Sequence, residues 1–342
     1  TLTTSAGSNV SSVTTQSTVK YYYGATVPTL TATLSSATGY TITFSKWTSS
    51  NTTYLANKTS NPTGTFTWPA MPEGTAITLT ASATKTANEY TITLNGNGAT
   101  TSGTTSVKAT YNSSSISPST ITIPKRSYTV SGFNANSTGA TISSTNTLTS
   151  TYTFNGWYTG ASGGSKVISN STSPAYVASV SGYTDANSKW IKAGTATLYA
   201  QWTSASVTLP TITKTGYTCG WTTSSSGTTI SYASGATYTP AENKTMYAVC
   251  EANTYTVNVV VQNGTVNTAS KNVKYQQSGT FNLTPKISGT TATVTCTNNQ
   301  TGSITNNVLT VSNVTNNTTC TVKYITEMTT LYTDGTLIIN EN

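Results

Sequence analysis

Catalysis begins with titratable side chains brought together, and this chain has few of them. The acids are Glu73, Glu89, Asp185, Glu242, Glu251, Glu327, Asp334 and Glu341, spread mostly singly, and there is no histidine. Ser–His and Cys–His nucleophile systems are therefore excluded. A glycosidase needs two carboxylates about 5–9.5 Å apart, and no section supplies a convincing pair. No DxD-type run offers the clustered oxygens of a calcium cage. The run Asn95-Gly96-Asn97-Gly98 is a turn signal, not a phosphate loop, because no helical pattern follows and no Lys-Ser/Thr closes it. These patterns predict a protein that is not an enzyme, with no catalytic residues, no cofactor and no metal site.

Cys219, Cys250, Cys296 and Cys320 are the remaining reactive groups. Four cysteines allow three pairings. No CxxC occurs, and without histidine a zinc site would need four separated thiolates. Placement favours Cys219–Cys250 and Cys296–Cys320, since each pair falls within one section and on strand-like sequence. Disulfides imply an oxidising compartment; buried free thiols are the alternative.

Aromatic rings are the other candidates for contact. Read as a strand, Tyr21-Tyr22-Tyr23 must place rings on both faces, so at least one lies outside the local core. Tyr158, beside Trp157, points outward on the same logic. Exposed rings can stack on sugars or anchor protein partners. Single exposed aromatics are also ordinary, and tyrosines brace cross-strand neighbours. Trp47, Trp157, Trp202 and Trp221 sit in alternating apolar stretches and read as core residues.

Composition narrows the class. Charged residues are 7% of 342, against about 25% in ordinary soluble proteins. Disorder does not follow, because 21 Tyr and 6 Trp accompany many β-branched residues. No apolar run approaches the ~20 residues that span a bilayer as a helix. Net charge is +8, but Lys125-Arg126 is the only adjacent basic pair. Phosphate affinity needs several cations on one face, so nucleic acid is not an expected partner. What remains is a folded, Thr-rich extracellular protein. Starting at Thr1 without a signal-like apolar segment, it reads as a chain whose leader is removed or as a piece of a longer one.

The elements that position these residues repeat. TYTFNGWYTGASGGSKV (151–167) carries an aromatic strand, a Gly-Trp step and a glycine-rich turn, and TATLYAQWT (195–203) closes it. GYTCGWTTSSSGTTI (216–230) and KTMYAVC (244–250) repeat the pair, with Cys219 where Phe154 or Asn155 stood and Cys250 at or next to the place of Trp202. A disulfide replacing an aromatic contact in a smaller core is the expectation. No long segment shows helical apolar spacing; a weak helical turn at 176–180 is the one candidate. The sections are 1–86, a β module; 87–203, with an insertion at 169–189; 204–252, a short copy; 253–326, whose strand spacing suits a sandwich; and 327–342, a hairpin about Asp334-Gly335.

GWYTGASGGSKV followed by TLYAQW, preceded by YTITLNGNG, resembles the Listeria–Bacteroides repeat, the internalin-type B-repeat of bacterial surface proteins. The resemblance covers 89–203 best, a truncated copy in the third section and a divergent one in the fourth. It implies β-grasp-like modules in a tandem extracellular array with a spacer or adhesive role. The expected fold is thus all-β: small tandem modules, β-grasp-like repeats with an immunoglobulin-like sandwich, in an elongated chain on a cell or virion surface. Expected partners are a host glycan or protein, or copies of itself in an array. A phage virion fibre or decoration protein is one alternative, and a carbohydrate-binding accessory region of a secreted enzyme is another.

Overall fold

The structure, a computed structural model, describes residues 1–342 apart from 17–19, 23, 59–60, 68, 136–137, 326–327, 334–335 and 342. The fold is all-β: every regular element among the described residues is a strand. The chain forms two compact units, Thr1–Ser127 with Thr151–Ala205, and Tyr128–Ser150 with Ser206–Asn342.

Buried side chains gather in separate clusters, and one pairing scheme recurs in them. In the first, Leu2–Ala6 runs parallel to Ile77–Ala87, which also pairs antiparallel with Tyr40–Ser49. Ile77, Leu79, Ala81 and Ala83 alternate inward, as period-2 geometry requires. Trp47 lies opposite Ala81. A second sheet of Val10–Val13, Thr26–Leu34 and Thr63–Thr67 contributes Leu30, Ala32 and Phe66 to the same core. The strand expected through the tyrosine triplet does not form: Tyr21 and Tyr22 lie outside any strand, and Tyr23 is outside the described residues. The Ala25 N–H donates to the Tyr22 carbonyl, turning the chain at Gly24 (φ 75°) before the next strand begins.

The second core rests on a six-stranded sheet in the order Lys166–Ile168, Thr153–Tyr158, Ala196–Thr203, Glu89–Asn95, Ser106–Thr110, Ile116–Ser117. Ala196–Thr203 is shared: its first half is parallel to Glu89–Asn95 and its second half antiparallel to Thr153–Tyr158. Trp157 faces Ala200, Phe154 faces Trp202, and a bulge separates the two pairs at Gly156. Gly156 has φ 116°, and a Cβ there would meet the Ile168 carbonyl oxygen at 2.8 Å, so the bulge requires glycine. The insertion is part of this core. Tyr176, Val180 and Trp190 are buried, with the Tyr176 and Trp190 rings 5.6 Å apart. No helical turn forms at 176–180; Tyr176 bridges Ile168, and the Thr184 hydroxyl accepts from Val180 N–H and donates to the Val177 carbonyl.

In the third core Tyr217–Thr222 pairs antiparallel with Tyr247–Ala252, placing Trp221 opposite Ala248 and Cys219 opposite Cys250. The core also takes Val130, Phe133 and Ala140, from residues that the sequence division assigns to 87–203. Ser127–Ser131 runs parallel to Lys244–Thr245, with Leu148–Thr151 on its other side. The physical reason lies in section 204–252, which has no opening strand equivalent to EYTITLN. Residues 128–150 supply one. Phe133 then packs edge-on against Trp221 at 5.1 Å, and Met246 N–H donates to the Ser131 carbonyl. At the neck of this excursion Tyr152 N–H donates to the Arg126 carbonyl at 2.8 Å, so TYTFNGW follows Arg126 in space as if nothing intervened.

The fourth core lies between two four-stranded sheets. One is Ser270–Lys274, Thr254–Gln262, Thr318–Ile325, Thr291–Cys296; the other is Gly264–Val266, Gly279–Pro285, Val308–Ser312, Thr301–Thr305. Val257, Val259, Val322 and Tyr324 from the first meet Phe281, Leu283, Leu309 and Val311 from the second. Thr254–Gln262 is parallel to Thr318–Ile325, again opening strand beside closing strand. Met328–Thr333 and Thr336–Glu341 form a terminal antiparallel pair.

Phe133→Ala should cost the third core about 3–5 kcal/mol, the usual range for a fully buried phenylalanine. Amide hydrogen exchange is expected to speed up at Val249 while Leu198 stays protected. Loss of protection at Leu198 with Val249 unchanged would contradict the assignment of residues 128–150 to the third core.

Candidate functional site: single-residue junctions

Among the described residues the acids and bases form no constellation. Among the described residues no group of three His, Cys, Asp or Glu side chains could hold a metal ion. Glu89–Lys108 at 3.8 Å and Glu242–Lys244 at 2.5 Å are surface pairs. The hydrogen bond and charge of Lys244 hold the Glu242 carboxyl below its ordinary pKa, a local effect on an exposed group. The cysteines pair as Cys219–Cys250 and Cys296–Cys320, both directly across antiparallel strands.

The tryptophans divide by depth. Trp47, Trp157 and Trp221 are fully buried; Trp202 is partly buried at the end of its strand, donating Nε1–H to the Gly96 and Asn97 carbonyls at 3.3 and 3.1 Å. Trp47 and Trp221 donate to the carbonyls of Pro62 and Pro210. Trp190, fully buried, is a core residue that periodicity missed, since it follows a Ser- and Gly-rich stretch with no alternation. The Tyr176 hydroxyl beside it is buried without a hydrogen-bond partner, and burial pushes its pKa above the ordinary phenol range. Of the ring candidates, Tyr158 is half-buried with the Lys166 ammonium 5.8 Å from its centroid, Tyr21 is half-buried, and Tyr22 is exposed.

What the structure does bring together, twice, is a connection between cores. Asn88 alone separates Ile77–Ala87 from Glu89–Asn95, and Asn253 alone separates Tyr247–Ala252 from Thr254–Gln262. Each closing strand passes into the next opening strand through one asparagine. At the first junction Asn88 N–H donates to Gly39 at 2.9 Å, Tyr111 N–H donates to the Asn88 carbonyl at 2.9 Å, and the Thr41 hydroxyl donates to Asn88 Oδ1 at 2.6 Å. At the second, Asn253 N–H donates to Gly216 at 2.9 Å, Tyr275 N–H to the Asn253 carbonyl at 2.8 Å, and the Thr218 hydroxyl to Asn253 Oδ1 at 2.8 Å.

The aromatic contact repeats as well. Tyr40 and Tyr111 meet edge-on at 5.2 Å, and Tyr217 and Tyr275 at 5.7 Å. Edge-on pairs of this kind contribute about 0.5–1.5 kcal/mol beyond burial. The preceding glycines, Gly39 (φ 81°) and Gly216 (φ 76°), let the second ring lie against the backbone; a Cβ would stand 2.3 Å from Tyr111 or 2.4 Å from Tyr275. Lys85 and Lys214 cap the outer rings at 4.0 and 4.2 Å. The signal was present in the chain as Gly-Tyr-Thr at 39–41 and 216–218 and Ala-Asn-x-Tyr-Thr at 87–91 and 252–256. Each junction thus ties every hydrogen-bonding group of its asparagine backbone and fixes the approach of one core to the next.

Comparison with known protein families, with characterised proteins and with solved structures finds no match.

Gly216→Ala should strain the backbone by roughly 1 kcal/mol from its left-handed φ alone, and should also expel the Tyr275 ring. Residual dipolar couplings are expected to report one shared alignment for residues 206–252 and 253–325 in the parent chain and two independent alignments in the variant, with both cores still folded. A shared alignment retained in Gly216→Ala would show that the junction does not fix their relative orientation.

Proposed function

We propose that this chain is a non-enzymatic extracellular segment of a surface protein, a tandem array that holds an adhesive or structural end away from an envelope. The observation that carries the reading is the one-asparagine junction, built twice from the same contacts. A spacer must resist bending between modules, and a single-residue linker with its backbone groups tied leaves little freedom there.

The pairing of strands supports the same role. In the first, second and fourth cores the chain enters at the start of one strand and leaves at the end of a parallel neighbour, which loads their hydrogen bonds in shear when its ends are pulled. Many bonds then share the load, and no pair opens first. The two disulfides suit an oxidising exterior, and no helix among the described residues is long and apolar enough to cross a membrane. The repeated Trp–Ala register of the first three cores supports kinship with the Listeria–Bacteroides repeats as part of this proposal.

Native mass spectrometry tests the reading against a virion fibre. The proposal expects a monomer in both oxidised and reduced samples; a closed symmetric oligomer would contradict it. Replacing Cys219 and Cys250 together by alanine is expected to cost the third core about 3–4 kcal/mol on the chain-entropy estimate, read from denaturant unfolding, without changing oligomeric state.

A further inference from the structure

We propose that the cleft beside Tyr22 is a binding site for a neutral saccharide. Tyr22 is 87% exposed, well beyond the next most exposed large apolar side chain among the described residues, Val260 at 50%. Water-facing rings are common singly, but this one stands at the rim of a cleft of about 400 Å³, a size in the ordinary range of small-ligand sites. Its neighbour Tyr21 packs on the first core and donates its hydroxyl to Gln16 Oε1 at 2.8 Å, so the base of the platform is held in place.

The lining also includes a short loop through Met71, Pro72 and Glu73. Its shape is set without a ligand, because Thr75 N–H and the Thr75 hydroxyl both donate to the Pro72 carbonyl, at 3.2 and 2.7 Å. Lys20 and Glu73 line the cleft with the α-amino group of Thr1, which donates to the Thr75 carbonyl at 2.7 Å, and neither side chain forms an ion pair among the described residues. Charges of both signs thus face the cleft beside its apolar lining. An ammonium offers only donors and a carboxylate only acceptors. A sugar hydroxyl is both, and can use either. A pyranose also presents a C–H face that stacks on a tyrosine ring, with Met71 and Pro72 completing the apolar side. An extended peptide is the poorer fit, since the Pro72 wall lacks an N–H for strand pairing.

The site shares no residue with either junction and would stand even if the array bore no load. Isothermal titration of the full chain with cellohexaose, mannohexaose and chitohexaose, with a heparin hexasaccharide and decaproline as comparisons, tests it. At least one of the three neutral sugars should bind saturably. Tyr22→Ala should weaken that binding by about tenfold or more, the equivalent of one lost stacking contact. Glu73→Gln should weaken it less, Tyr22→Trp should preserve it, and Tyr158→Ala should leave it unchanged. Circular dichroism should be the same for all variants, as expected for an exposed ring. The proposal is overturned if none of the three neutral sugars binds, if binding survives Tyr22→Ala, or if only heparin or decaproline binds.

Discussion

Each core of this chain closes only when its last strand returns to lie parallel beside its first. The pairs are Leu2–Ala6 with Ile77–Ala87, Glu89–Asn95 with Ala196–Thr203, Ser127–Ser131 with Lys244–Thr245, and Thr254–Gln262 with Thr318–Ile325. Parallel neighbours cannot be joined by a tight hairpin, so everything between them must be accommodated within one crossover. That constraint explains why the second core tolerates an insertion that brings Tyr176 against Trp190. It also explains why the third can recruit residues 128–150 from far upstream. The sheet needs an opening strand of suitable pattern and does not require it to be the preceding piece of chain. Contacts of such long sequence separation form late and slowly, and the third and fourth cores each carry a disulfide.

In the first three cores the downstream half of the closing strand then meets the tryptophan-bearing strand, and here one position varies while the frame holds. Trp47, Trp157 and Trp221 all face an alanine, Ala81, Ala200 and Ala248. Two residues along the closing strand the partners are Ala83, Trp202 and Cys250, facing Phe44, Phe154 and Cys219. A large aromatic pair, a mixed pair and a disulfide thus occupy the same place. The covalent bond stands in the core with the fewest buried apolar residues among those described, consistent with its role of restricting the unfolded chain.

Much of this was legible in the sequence because strand alternation is a local signal. The comparison of 151–167 with 216–230 located both the disulfide and the aromatic contact it replaces. The destination of 128–150 was not legible, since the period of SYTVS says which face is buried and not which sheet it joins; the only clue was the opening strand missing from 204–252. Trp190 and Tyr176 were hidden because their stretch has no period. Trp202 packs against its core only partly buried, a depth that alternation alone does not set. The junctions were written openly in the Gly-Tyr-Thr and Ala-Asn-x-Tyr-Thr repeats, yet their meaning depends on Tyr111 and Tyr275, which approach from other strands.

The tension-bearing role proposed above is tested by pulling the two ends of the chain. Single-molecule stretching of the oxidised chain is expected to give discrete, abrupt unfolding events. Reduction should then lengthen two of them, by roughly 100 Å and roughly 80 Å, as the 31- and 24-residue separations between paired cysteines become free to extend. A smooth, low-force extension without discrete events, the same with and without reductant, would contradict the load-bearing reading directly.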